Sequence, residues 1–209
     1  MTADADAHVI DDDEAVRESI DFLLRSAKLT VKTYESASAF LAVAPTINSG
    51  CIITDVRMPG ISGIDLLRRL KELQIRLPVI VITGHGDVPL AVEAMKFGAV
   101  DFLEKPFEDD VLLASVRAAL NRSEASAQLE TERAEIRARI ALLTNREREV
   151  LDGLVAGHPN KIIAFDLSIS PRTVEIYRAN VMTKMKARSL SELVRIALVA
   201  GVMKSQTDG

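Results

Sequence analysis

The chain has 209 residues, of which 48% are hydrophobic and 27% charged, with a formal net charge of −4. That balance excludes a disordered or fibrous chain and allows one large domain or two small ones. With no Trp and only 4% aromatic residues the core must be aliphatic, and a platform for stacking single-stranded bases is not expected.

No uninterrupted apolar run approaches the roughly 20 residues of a membrane-spanning helix. The acidic start, with Asp4 and Asp6, lacks the basic opening of a signal peptide. The single cysteine, Cys51, cannot form an internal disulfide and packs as a small hydrophobe in an apolar stretch. A cytoplasmic protein is the expectation. Charge is uneven along the chain. Residues 1–120 carry 12 basic and 19 acidic residues, 121–143 carry 4 of each, and 144–209 carry 10 basic and 7 acidic. An acidic first part and a basic last part predict two domains, the second suited to a polyanion.

Residues 7–10 form a short apolar strand running into Asp11-Asp12-Asp13-Glu14, after which Val16, Ile20, Leu23, Leu24 and Ala27 share one helical face. Residues 29–34 make a second, weakly alternating strand. Ser36 caps a helix carrying Phe40 and Leu41 that ends near Pro45. Cys51-Ile52-Ile53-Thr54-Asp55 is a third strand with a carboxylate at its tip, stopped by the Pro59-Gly60 turn. Residues 64–73 are amphipathic through Leu66, Leu67, Leu70 and Leu73. Residues 78–84 are a continuously apolar fourth strand, 88–97 a helix stopped by Gly98, and 100–103 a fifth strand leading into Glu104-Lys105-Pro106-Phe107. Five alternating β/α units with strands apolar on both faces predict an α/β, doubly wound, five-stranded parallel sheet in the order 2-1-3-4-5.

The carboxyl ends of parallel strands share one edge, where ligands bind. That edge collects Asp11 and Asp12 from strand one, Asp55 from strand three, Thr83 from strand four and Lys105 from strand five. Three carboxylates close together repel. A hard divalent cation, Mg²⁺ (or Mn²⁺), relieves this with oxygen ligands. Asp12, Asp55 and the Arg57 backbone carbonyl are the expected direct ligands, and Asp11 holds a metal-bound water. Lys105 and Thr83 then stabilise phosphoryl oxygens during in-line transfer to Asp55 as carboxylate nucleophile. Singly these residues are ordinary caps, turns and surface charges; their joint arrival at one edge favours the chemistry. His85 admits two readings, a metal ligand or base and a glycine-flanked loop residue, and the second is preferred because no His/Cys cluster supports zinc.

Asp11-Asp12, Asp55 with Met58-Pro59-Gly60, Thr83-Gly84 and Lys105-Pro106 resemble the receiver domain of two-component response regulators. The resemblance implies phosphorylation of Asp55 by a histidine kinase. It also implies that Thr83 and Phe102 act as a switch altering the face of the fourth helix and fifth strand, where Val92, Lys96, Ala99 and Val100 lie. Val92 and Lys96 are the candidate contacts of a dimer formed on phosphorylation.

The helical pattern from Asp109 does not stop where such a domain ends. Leu129, Ile136, Ile140 and Leu143 continue it, without the Gly and Pro of a flexible linker. One long helix is predicted through the connector, either a spacer, a weak coiled-coil seam, or a solvated helix with fraying ends. The expected domains are 1–120, a helical linker 121–142, and 143–209.

The last part opens with Thr144 as N-cap and Glu147 three residues on, a capping box. Val150, Leu151, Leu154 and Val155 form its stripe, ended by Gly157. A short helix over 160–167 has Ile162, Ile163 and Leu167 inward. After a turn, Pro171 starts a helix over 173–186, and a fourth begins at Ser189. This is an all-α four-helix unit containing a helix-turn-helix. The second helix of that motif enters the major groove, with Arg172, Thr173, Glu175, Ile176, Arg178 and Ala179 outward. Asn160, Lys161, Lys184 and Arg188 suit phosphates.

The segments Leu143-Thr144-x-Arg146-Glu147, Asn160-Lys161-x-Ile163-Ala164 and Ile169-Ser170-x-Arg172-Thr173-Val174-Glu175 look like a LuxR/NarL-type DNA-binding domain. With the receiver, the whole chain resembles the FixJ/NarL family of response regulators. The resemblance implies a transcriptional activator of nitrogen-fixation and microaerobic genes that binds double-stranded promoter DNA. Its implied partners are a FixL-like haem oxygen-sensing histidine kinase and RNA polymerase. Two other classes remain open: a phosphohydrolase using an aspartyl-phosphate intermediate, and an adaptor without DNA binding. The first expects a second Asp two residues after the nucleophile, where this chain has Arg57, so only slow autodephosphorylation is expected.

Overall fold

The computed structural model describes residues 6–84 and 88–201. The chain divides into two compact units, Met1–Ala127 and Gln128–Gly209.

In the first unit, β1 (Ala7–Ile10), β2 (Val31–Tyr34), β3 (Cys51–Asp55), β4 (Val79–Thr83) and β5 (Asp101–Glu104) form one sheet in the order β2-β1-β3-β4-β5. Every pairing is parallel. Alternate residues of the strands feed opposite faces. Ile10, Ile52, Val79 and Val81 pack with Phe40, Leu66, Leu67 and Leu70 on one side. Val9, Ile53, Ile80 and Ile82 pack with Ile20, Leu24, Leu112 and Val116 on the other. Each such fully buried side chain contributes about 1.5–3 kcal/mol; most are aliphatic, as expected, but Phe40 is a fully buried aromatic among them.

The helices are α1 (Glu14–Ser26), α2 (Ala37–Val43), α3 (Gly63–Glu72), α4 (Val88–Phe97) and α5 (Asp109–Ala141). Their starts follow local chemistry. The side chains of Asp13, Ser36 and Ser62 accept from the backbone N–H groups that open α1, α2 and α3. Gly63 has a separate reason to be glycine, because a Cβ there would overlap the Asp55 carbonyl.

Several expectations need correcting. Strand β2 begins at Val31, so Leu29 and Thr30 stand outside it, and β5 begins one residue later than predicted. Leu73 is the exposed C-cap of α3, and Val111 is exposed in the first turn of α5. The predicted long helix is α5, continuous for 33 residues. Leu112 and Val116 serve the first unit, whereas Ile136 and Ile140 belong to the core of the second; Leu129 between them is exposed.

The second unit adds α6 (Asn145–Val155), α7 (Asn160–Asp166), α8 (Pro171–Met185) and α9 (Leu190–Val199) around Val150, Leu151, Leu154, Ile163, Val174, Val181, Met185 and Leu193. The capping box of Thr144 and Glu147 is formed in both directions. Ser170 caps α8 by accepting from the Thr173 N–H, with Pro171 in the first turn. Ile162, predicted inward, is 45% exposed. Helix α7 is under two turns long, and Ile163 and Ala164 already fill its buried face. Among the described residues no helix is long and apolar enough to cross a membrane.

Candidate phosphoacceptor site and nucleic-acid interface

The parallel register brings the strand tips into line, with Ile10 beside Thr54, Asp55 beside Ile82 and Thr83 beside Glu104. Asp11 follows β1, Asp55 ends β3, Thr83 ends β4 and Lys105 follows β5, so all four arrive at one edge. Lys105 Nζ lies 2.9 Å from Asp55 Oδ1 and 3.0 Å from Asp11 Oδ2. One ammonium thus bridges carboxylates from two different strands, and this contact is the centre of the site.

Each carboxylate has a second tie. The Arg57 N–H donates to Asp55 Oδ2 (2.6 Å), and the Asp13 N–H donates to Asp11 Oδ1 (2.9 Å). Arg17 Nη1 donates to the Asp11 carbonyl (2.7 Å), anchoring α1 to the same loop. Burial pulls the Lys105 ammonium pKa down, but hydrogen bonds and charge from Asp55 and Asp11 outweigh it and leave the group above its ordinary value. The Lys105 N–H donates to the Thr83 carbonyl (2.7 Å), which fixes where the lysine leaves the sheet. Thr83 is buried, and Phe102 is half-buried against the cluster beneath α3 and α4.

Asp12 is exposed and lines a surface cleft with Arg57, Met58 and Glu93. Among the described residues no three His, Cys, Asp or Glu side chains converge closely enough to hold a metal ion by themselves. The donors at the edge are nonetheless all oxygen. Magnesium takes one or two carboxylates and keeps several waters. Asp11 and Asp55, with Asp12 and Arg57 at the cleft, fit that requirement. His85 lies outside the described residues.

Around α4, Val92 is 47% exposed and Lys96 is exposed, but Ala99 is buried and Val100 half-buried, so those two present little to a partner. Met95, 52% exposed and not foreseen, lies beside Val92 and Lys96.

In the second unit Arg172, Glu175, Ile176 and Ala179 are exposed along α8, with Thr173 and Arg178 half-buried. Lys161 and Arg188 are exposed and Asn160 half-buried. Lys184 departs from expectation. Its Nζ donates to Glu147 Oε2 (2.7 Å) and to the Leu142 carbonyl (3.2 Å), so its charge is held inside the unit rather than offered to a phosphate. Lys184 and Glu147 are 37 positions apart, and no local spacing announces that pair.

Residues 7–117 match the family described as response regulator receiver domain. Residues 141–197 match the family described as bacterial regulatory proteins, luxR family. The chain is 63% identical over 195 residues to the transcriptional regulatory protein FixJ of Azorhizobium caulinodans, covering 93% of this chain and 92% of that one. It is 56% identical over 203 residues to FixJ of Bradyrhizobium diazoefficiens, covering 97% and 99%. Among solved structures, full-length FixJ from B. japonicum aligns with a TM-score of 0.60 at 55% identity over 97% of this chain and all of that one. The response regulator StyR aligns with a TM-score of 0.81 at 40% identity, covering 92% and 97%. These relatives are all regulators, and none supports the phosphohydrolase alternative. A receiver domain followed by a LuxR-type DNA-binding domain, on a sheet ordered 2-1-3-4-5, makes this chain a DNA-binding transcriptional activator that belongs to the FixJ-like two-component response regulators.

Proposed function

We propose that Asp55 accepts a phosphoryl group from the phosphohistidine of a FixL-like kinase and that this switches on transcription of nitrogen-fixation and microaerobic genes. The observation that carries the reading is the Lys105 ammonium bridging Asp55 and Asp11 at the carboxyl edge of the sheet. An Asp55 carboxylate oxygen attacks phosphorus, the P–N bond breaks, and the imidazole nitrogen leaves with the bond's electron pair. Lys105 then moves its charge onto a phosphoryl oxygen, and the Thr83 hydroxyl donates to another. Asp12, Asp55 and the Arg57 carbonyl would hold Mg²⁺ or Mn²⁺ directly and Asp11 would hold it through a water, and the ion would supply charge neutralisation for the transferring group. With Arg57 rather than an acid two residues past Asp55, autodephosphorylation is slow.

Movement of Thr83 and Phe102 alters the α4 face at Val92 and Lys96, and two copies pair there. The working divisions are a receiver over 1–120, a helical linker over 121–142 and a DNA-binding domain over 143–209. Arg172, Thr173, Glu175, Ile176, Arg178 and Ala179 meet base edges of promoter DNA, while Asn160, Lys161 and Arg188 meet phosphates. RNA polymerase is the recruited partner, and the protein works in the cytoplasm.

The test is intact-mass measurement with sedimentation before and after acetyl phosphate and Mg²⁺. The wild type should gain one phosphoryl group and dimerise, and Asp55→Asn should do neither. A phosphorylated, dimerising Asp55→Asn protein would overturn the assignment.

A further inference from the structure

We propose that Arg68 is a positioning residue that holds α4 in register against α3 and so sets how readily the face bearing Val92 and Lys96 pairs with a second copy of the chain. The proposal rests on the dimer reading above and adds a residue to it.

Arg68 lies on α3 and grips α4 at two points. Its Nη2 is 2.7 Å from Glu93 Oε1. Its guanidinium carbon stands 4.5 Å from the centroid of the Phe97 ring. Asp65, one turn back on α3, steadies the same group at 3.4 Å. Glu93 and Phe97 are four apart and share one side of α4. Ala94 is fully buried, whereas Val92, Met95 and Lys96 are exposed. Helix α4 thus offers one side to α3 and another to solvent. A roll or slide that changed the solvent side would have to break the grip at Glu93 or at Phe97.

Arg68 and Glu93 also line the cleft containing Asp12, Arg57 and Met58, so the grip borders the loop that follows Asp55. Both partners are partly exposed, at 46% and 37%. Exposed ion pairs and cation–π contacts are individually weak. Such contacts are too small to decide whether the unit folds, but large enough to tilt a nearly balanced pair of helix positions. A lysine would keep the charge but lose the planar fork and the stacking surface.

The experiment uses the full chain and its R68E, E93R, R68E/E93R and R68K variants. Sedimentation equilibrium is run with and without acetyl phosphate and Mg²⁺, with intact mass to score occupancy of Asp55. Without acetyl phosphate, R68E, which removes both the ion pair and the cation–π stack, should strengthen self-association about threefold or more, and E93R, which removes the ion pair alone, should strengthen it less. R68K should fall between wild type and R68E, and the charge swap R68E/E93R, which restores the ion pair but not the stack on Phe97, should return part of the way to wild type. Thermal midpoints should stay close together, which separates positioning from plain stability. Single reversals that leave self-association unchanged, or a swap no better than the singles combined, would overturn the proposal while leaving phosphorylation-dependent dimerisation standing. A wild type that stays monomeric once phosphorylated sinks both.

Discussion

Lys184 on α8 meets Glu147 on α6 at 2.7 Å, and the same carboxylate accepts from the Thr144 N–H at 2.8 Å. Glu147 is therefore at once the return arm of a helix cap and an anchor of α8, the helix proposed above to meet DNA. The Lys184 hydrogen bond, then the Thr144 backbone bond, draw its carboxyl below the ordinary value against the opposing effect of burial.

Lys184→Met should lower the stability of the second unit by about 1–3 kcal/mol, the range for losing a charged hydrogen bond to a buried group. Because the Glu147 carboxyl titrates lower in the folded chain than in the unfolded one, its contribution is fully present above the ordinary carboxylate pKa. It is lost as pH falls through the folded value. Denaturant melts of wild type and Lys184→Met should converge as pH drops through that window. Parallel curves at all pH values would refute the coupling.

Lys105 has the opposite sign. Its folded pKa lies above the ordinary one, so its contribution is complete below that ordinary value and fades as pH rises through the folded one. Lys105→Met leaves Asp11 and Asp55 facing each other without a cation. The stability difference between wild type and Lys105→Met in denaturant melts should shrink as pH rises through the folded lysine value. A difference that stays constant across that range would mean the ammonium does not hold the two charges together.

At Gly63 an added Cβ has nowhere to go but into the Asp55 carbonyl, which is backbone and cannot swing aside. Gly63→Ala should destabilise the first unit by about 1–3 kcal/mol through displacement of the strand end. It should also slow phosphorylation of Asp55, read by intact mass against time. A variant with wild-type stability and phosphorylation rate would show that the loop yields freely.

On DNA, Lys161→Ala should weaken binding similarly on promoter and random duplexes and reduce the slope of log affinity against log salt by about one. Arg172→Ala should cost about 1–3 kcal/mol on the promoter alone. Lys184→Ala should leave the salt slope unchanged, since its ammonium is bonded within the unit. Gel shifts across a salt series check all three, and a reduced slope for Lys184→Ala would return that residue to the interface.

Much of the first unit was legible before any coordinates. The apolar runs ending in Asp55 and Thr83 read as strands buried on both faces, and such strands require helices on each side. Caps at Ser36 and Thr144 are local events, set by a side chain and an N–H group three residues on, so their spacing alone announces them. Parallel pairing then obliges Asp11, Asp55, Thr83 and Lys105 to share an edge. Tertiary structure decided whatever depends on which side of a helix turns inward and on partners far apart in sequence. Ile162 points out because Ile163 and Ala164 already fill the short face of α7, Lys184 is spent on Glu147, and Arg68 reaches Glu93 across 25 positions. Hydrophobic periodicity carries the first kind of information, while the reach of a long charged side chain across a packed interface is set only once the helices are in place.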